Sequence, residues 1–231
     1  MARGYLDWVS SSDKREVVVR PTLVTATGKV FMYDDFNVPN LVWSGAGAPG
    51  YTIDIVTDEF YSGGGSLILS PVAAASATAS AYREIPIPES DIIGVEVVFK
   101  LETGFNGLFY IDLQRSEDEH IYFGRLKYDG TTKEWSLENS LGNFEVISGA
   151  TSKYTKYTHT FFRVKFVVDF ANKVYKYCIV RNKFIDLSAY PIYHQILGDS
   201  HSVRITLRNY AKTLDLPKDM WIDNVVITQE E

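Results

Sequence analysis

Cysteine is almost absent. Cys178 is the only one in 231 residues, which excludes an intrachain disulfide and any zinc site built on paired thiolates. Between Tyr177 and Ile179 it reads as a small buried hydrophobe, the usual state of a free cysteine. Histidine is scarce too: His159, His194 and His201 are scattered without metal-ligand spacing. Positive charge is not in excess, with 23 Lys and Arg against 29 Asp and Glu and a net charge of −6. No basic stripe can gather phosphates, so no nucleic-acid partner is expected. No apolar run approaches the length of a membrane span, and no membrane partner is expected. The start, MARGYLDWVSSSDKREVVV, has no apolar stretch behind Arg3 and does not read as a secretory signal. No convincing amphipathic helix occurs anywhere.

What the chain does have is aromatic residues and period-2 alternation. Apolar residues make up 45% and aromatics 14%, including 15 Tyr and 13 Phe, enough for a sizeable core and better suited to strands than to helices. The clearest stretch is FFRVKFVVDFANKVYKYCIVRNKFIDL, residues 161–187. Phe162, Val164, Phe166, Val168 and Phe170 share one face, and Arg163, Lys165 and Asp169 the other. After the Asn172 turn, Tyr175, Tyr177 and Ile179 are set against Val174, Lys176, Cys178 and Val180 until Arg181-Asn182-Lys183 turns the chain again. That is a β-meander.

Along the chain, residues 1–29 read as a polar N-terminal arm with strand candidates at Glu16 to Arg20 and Thr22 to Thr27, and residues 30–231 as one sandwich domain. Val30 to Phe36 is the first core strand, and Gly45 to Gly50 a loop. Residues 71–80, PVAAASATAS, fit a short helix, a loop or a flat strand. Asp129-Gly130 is the strongest hairpin signal. About fourteen short strands with frequent turns imply an all-β, antiparallel, two-sheet β-sandwich.

Three pieces resemble a known frame: Asp34-Asp35-Phe36 with Trp43, then Glu59-Phe60-Tyr61-Ser62-Gly63-Gly64-Gly65-Ser66-Leu67, and finally Trp221-Ile222-Asp223-Asn224-Val225-Val226-Ile227. They look like the frame of jelly-roll carbohydrate-binding modules and concanavalin A-like domains, over roughly residues 30 to 228. The resemblance implies first and last strands side by side, sharing a structural calcium, with Asp35 and Asp223 as the matching positions and Glu59 as a further one. Taken by themselves the residues read better as edge and turn carboxylates facing water, and no cofactor other than such a calcium is expected.

The catalytic signatures of such domains are missing. No Glu-x-Asp-x-x-Glu spacing supplies the paired carboxylates of a retaining glycosidase, and Glu117-Asp118-Glu119 reads as a solvated turn. His120 and Tyr122 fall on one strand face with Leu126, but Arg125 falls on the other, against the convergence a lyase needs. No catalytic residue is therefore expected, and the chain reads as a non-enzyme. For glycan binding the aromatic candidates are Tyr154, Tyr157, Tyr190, Tyr193 and Trp135, since a pyranose face packs on a ring. The opening Ala2 to Trp8 resembles the start of phage structural proteins that place an arm before a lectin-like sandwich, with Tyr5, Leu6 and Trp8 as partner contacts. The expectation is a non-enzymatic, homo-oligomeric virion protein made in a host cytoplasm, acting in capsid decoration, tail or surface assembly. The alternatives are a carbohydrate-binding module or adhesin, and a polysaccharide lyase or glycoside hydrolase.

Overall fold

The computed structural model describes residues 28–37, 42–61, 64–117, 119–152, 161–196, 201–212 and 218–230. Among the described residues the alternating segments form sixteen strands and there is no helix. In chain order they are β1 (Lys29–Asp34), β2 (Ser44–Gly47), β3 (Thr52–Val56), β4 (Ser66–Ser70), β5 (Thr78–Ile85), β6 (Ile92–Leu101), β7 (Leu108–Glu117) and β8 (His120–Asp129). There follow β9 (Glu134–Glu138), β10 (Phe144–Thr151), β11 (Phe162–Asp169), β12 (Val174–Val180), β13 (Lys183–Asp186), β14 (Tyr193–Ile196), β15 (Ser202–Tyr210) and β16 (Met220–Gln229). The candidate arm strands and the arm contacts Tyr5, Leu6 and Trp8 lie outside the described residues.

Two eight-stranded antiparallel sheets result. The first runs β13-β12-β11-β6-β16-β4-β3, with β1 also on β16; the second runs β10-β9-β8-β7-β15-β5-β2, with β14 also on β8. First and last strands therefore lie side by side, Asp34 opposite Val225. The sheets close on one continuous apolar core, to which Val95, Val97 and Phe99 of β6 and Ile111, Leu113 and Ile205 of the second sheet all contribute. Burying such alternate side chains at roughly 1.5–3 kcal/mol each is what holds the layers together.

Two local expectations change, and one left open is decided. The glycine-rich stretch at 45–50 is partly strand: β2 pairs with β5, with Gly47 opposite Ala79. A Cβ at Gly47 would run into the Thr78 carbonyl and the Tyr51 ring, so glycine is what permits this approach. The 71–80 run contains no helix; β5 begins within it at Thr78 and extends to Ile85. In the meander, a register shift between Val167 and Val168 flips the phase of β12. Tyr175 then enters the core with Cys178 and Val180, while Tyr177 and Ile179 turn outward. The β11 face is as the alternation predicts, with Val164, Phe166 and Val168 fully buried.

Candidate functional site

Strand periodicity determines which side chains leave the core. On β7, Phe109, Ile111 and Leu113 point inward, so Tyr110, Asp112 and Gln114 line the outer face of the second sheet. On β15, Val203, Ile205 and Leu207 point inward, which sends Arg204, Thr206 and Arg208 outward. Register then aligns these residues in rows across the strands. Thr206, Asp112 and Arg125 are successive cross-strand partners, with Tyr82 beyond Thr206 and Phe144 beyond Glu138. The neighbouring row carries Arg208, Tyr110, Lys127 and Ser136. From β5 to β10 such a row spans five strand spacings, about 24 Å.

The centre of the face is a network of charges. Arg208 Nη2 donates to Asp112 Oδ2 at 2.6 Å. Arg125 Nη1 lies 3.0 Å from both Glu138 carboxylate oxygens, and its Nε is 3.6 Å from Asp112 Oδ1. Burial raises the Glu138 pKa, with Arg125 opposing the shift. Aromatic rings frame the network. The Arg208 guanidinium lies 4.7 Å from the Tyr110 ring centroid, Phe144 meets Tyr110 edge-on at 5.7 Å, and Lys127 Nζ is 4.2 Å from the Phe144 ring. Tyr193 stacks on Phe123 at 5.7 Å, and the Arg125 guanidinium is 4.2 Å from the same Phe123 ring. Burial lowers the Lys127 pKa and raises that of Tyr110.

Of the aromatic candidates, Tyr193 reaches this face. Tyr190 is half-buried against the core and bonds Leu187 and Tyr175 through its backbone. Trp135 is a correction: it is 0% exposed, wedged against Tyr128, Phe109 and Phe99 at 5.4, 6.0 and 6.1 Å, and offers no face to a sugar. Tyr154 and Tyr157 lie outside the described residues. Tyr110, set between the inward Phe109 and Ile111, is legible as outward-facing from alternation; Phe144, flanked by Asn143 and Glu145, carries no such signal.

The carboxylates considered for calcium are each engaged separately. Asp35 Oδ1 accepts the Asn37 amide at 3.3 Å. The buried Asp223 Oδ1 accepts the Tyr61 amide at 2.6 Å, and Glu59 pairs with Lys100. Among the described residues no cluster of three or more His, Cys, Asp or Glu is arranged to hold a metal ion.

A second cluster stands at the end of the sandwich. Tyr122 is the register partner of Arg115 and packs with His120 and His194, each centroid 5.9 Å away. A cavity of ≈ 270 Å³ opens here, lined by Asp91, Arg115, Glu117, Tyr122 and Phe170. Arg115 is shared between Asp91 at 2.6 Å and Glu117 at 2.8 Å.

These features define a concanavalin A-like jelly-roll β-sandwich with a charged, aromatic outer face. Solved structures with this fold include the endo-β-1,4-glucuronan lyase of Trichoderma reesei, at TM-score 0.59 and 9% identity over 87% of this chain and 96% of that one. Arcelin-5, a lectin-like defence protein of Phaseolus vulgaris, matches at TM-score 0.52 and 11% identity over 88% and 98% of the two chains. The lectin UEA-II, complexed with galactose, matches at TM-score 0.52 and 12% identity over 87% and 98%. No protein-family model matches the chain, and no curated protein matches it.

Proposed function

We propose that the chain is a non-catalytic carbohydrate-binding sandwich that holds an extended glycan across the outer face of its second sheet. The observation that carries this reading is the row from Tyr82 through Asp112, Arg125 and Glu138 to Phe144. Rings at its ends and at Tyr110 offer stacking surfaces for pyranose faces. Between them, Arg125, Arg208, Asp112 and Glu138 supply donors and acceptors for hydroxyl groups. Their mutual ion pairs fix the side chains before a sugar arrives, so little ordering entropy is lost on binding. The fold is shared with the lectin whose structure holds galactose, which supports the same reading.

Catalysis is the second reading, favoured by the His120, Tyr122 and His194 cluster opposite Arg115 and by the lyase among the structural neighbours. Arg115 is already neutralised by Asp91 and Glu117, which leaves it poorly placed to neutralise a substrate carboxylate, so we favour binding. The virion-assembly expectation rests on the N-terminal arm, whose residues 1–27 lie outside the described ones, and on the missing secretory signal, and the neighbours named above lend it no support.

The test is a glycan panel read with and without chelator, together with an assay for unsaturated sugar products. Saturable binding without turnover supports the proposal. Release of unsaturated oligosaccharides would replace it with a lyase, and loss of binding in chelator would bring calcium into the site.

A further inference from the structure

On the opposite side of the molecule, the first sheet carries a cleft of ≈ 320 Å³, lined by Tyr61, Val98, Phe161, Phe162, Arg163, Arg181 and Asn182. It sits where β6 ends and β11 begins, with Arg163 and Val98 as cross-strand partners. Because Phe99 and Val164 face the core, Arg163 and Val98 face outward, into the cleft.

Its walls are held in place. Tyr61 and Phe161 stand 6.1 Å apart with their planes at 48°, and the Tyr61 amide is anchored on the buried Asp223 carboxylate at 2.6 Å. Arg181 occupies the β12–β13 turn at φ 59°, a left-handed conformation that glycine and asparagine adopt more readily. Arg163 is the chemically distinctive wall. Its Nε lies 3.0 Å from Oε1 of the buried Glu96, yet the N–H is not aimed at that oxygen, and neither Glu96 oxygen receives a hydrogen bond. No described residue takes the Nη1 and Nη2 nitrogens of Arg163, whose side chain is 20% exposed. A guanidinium with open donors at the rim of an aromatic cleft is suited to a carboxylate carried on a ring. Four of the seven lining residues, Tyr61, Val98, Phe161 and Phe162, are apolar or aromatic and two of the other three are arginines, a lining that favours an anionic aryl ring over a neutral sugar.

We propose that this cleft is a second binding site, separate from the glycan face, that takes a small aryl carboxylate, with its ring packed against the Tyr61–Phe161 pair and its carboxylate on Arg163.

The experiment is calorimetric titration of the full chain with 4-hydroxybenzoate, with the neutral 4-hydroxybenzyl alcohol and with glucuronate. The variants are Tyr61→Ala, Arg163→Lys and, on the other face, Tyr110→Ala; Arg163→Lys keeps a positive charge beside Glu96, and all are checked for unchanged thermal unfolding. Saturable binding of 4-hydroxybenzoate is expected, with the alcohol weaker by about tenfold or more, the size of a charge-assisted hydrogen bond. Tyr61→Ala and Arg163→Lys should each weaken it, and Tyr110→Ala should leave it unchanged. Absence of saturable binding, equal affinity for the alcohol, or indifference to both cleft variants would overturn the proposal. So would glucuronate binding as tightly as 4-hydroxybenzoate, or loss of binding in Tyr110→Ala.

Discussion

Nη1 of Arg125 stands 3.0 Å from both carboxylate oxygens of Glu138, and the two residues together form the middle of the proposed glycan face. Glu138 is only 5% exposed, so its charge depends on this contact. Replacing Arg125 with Met leaves a buried carboxylate without its main donor, which costs about 1–3 kcal/mol. Arg125→Lys should recover only part of that, since an ammonium cannot reproduce the guanidinium fork. Denaturant unfolding of the three proteins checks the order wild type, Lys, Met.

Trp135 and Tyr110 separate packing from binding. Trp135 is enclosed by Tyr128, Phe109 and Phe99, and Trp135→Ala should cost about 3–5 kcal/mol as a core truncation. Tyr110 sits half-buried on the outer face, so Tyr110→Ala should cost far less stability, about 1 kcal/mol. Thermal melts read alongside glycan affinity would show the first variant losing stability and the second losing ligand.

Glu96 gives the fold a pH dependence of definite sign. Burial moves its pKa from 4.5 to about 7, against the opposing charges of Arg163 and Lys165. The folded state therefore binds a proton that the unfolded state releases between these values, and stability falls as pH rises from about 4.5 to about 7. At 1.36 kcal/mol per pKa unit the full loss is roughly 3 kcal/mol. Glu96→Gln should be more stable than wild type at pH 8 and close to it at pH 4, measured by urea unfolding at the two pH values. A variant less stable at both would contradict this origin.

Cys178 is fully buried, and burial pushes its thiol up to about 12. Because the thiolate is the reactive form, alkylation should be negligible in the native protein and go to completion only in denaturant. Rapid native labelling would show that β12 opens readily.

The sandwich was legible because strand alternation with turn residues every few positions writes itself into sequence. β11, the Asp129-Gly130 hairpin and the pairing of first and last strands follow from local pattern or from the opening and closing motifs. The phase of β12 beyond Tyr175 is not legible, because a bulge is a property of two strands and Val167 and Val168 carry no local sign of it. The proposed glycan face is half legible. Tyr110 and Arg208 could be assigned outward by alternation alone, but their adjacency arises from long-range register between β7 and β15. The inward packing of Trp135 is not legible, because a strand-end tryptophan looks the same whether it packs inward or outward. Asp223 and Glu59 accept from Tyr61 and Lys100, donors that lie far off in the sequence and that no local pattern places.

The most direct test of the glycan face is binding of wild type, Tyr110→Ala and Arg208→Gln to the same immobilised glycan panel. We expect saturable wild-type binding to at least one extended glycan, reduced about tenfold or more in each variant, as for loss of a central contact. Wild-type silence across the panel, or binding that both variants retain in full, would contradict the account.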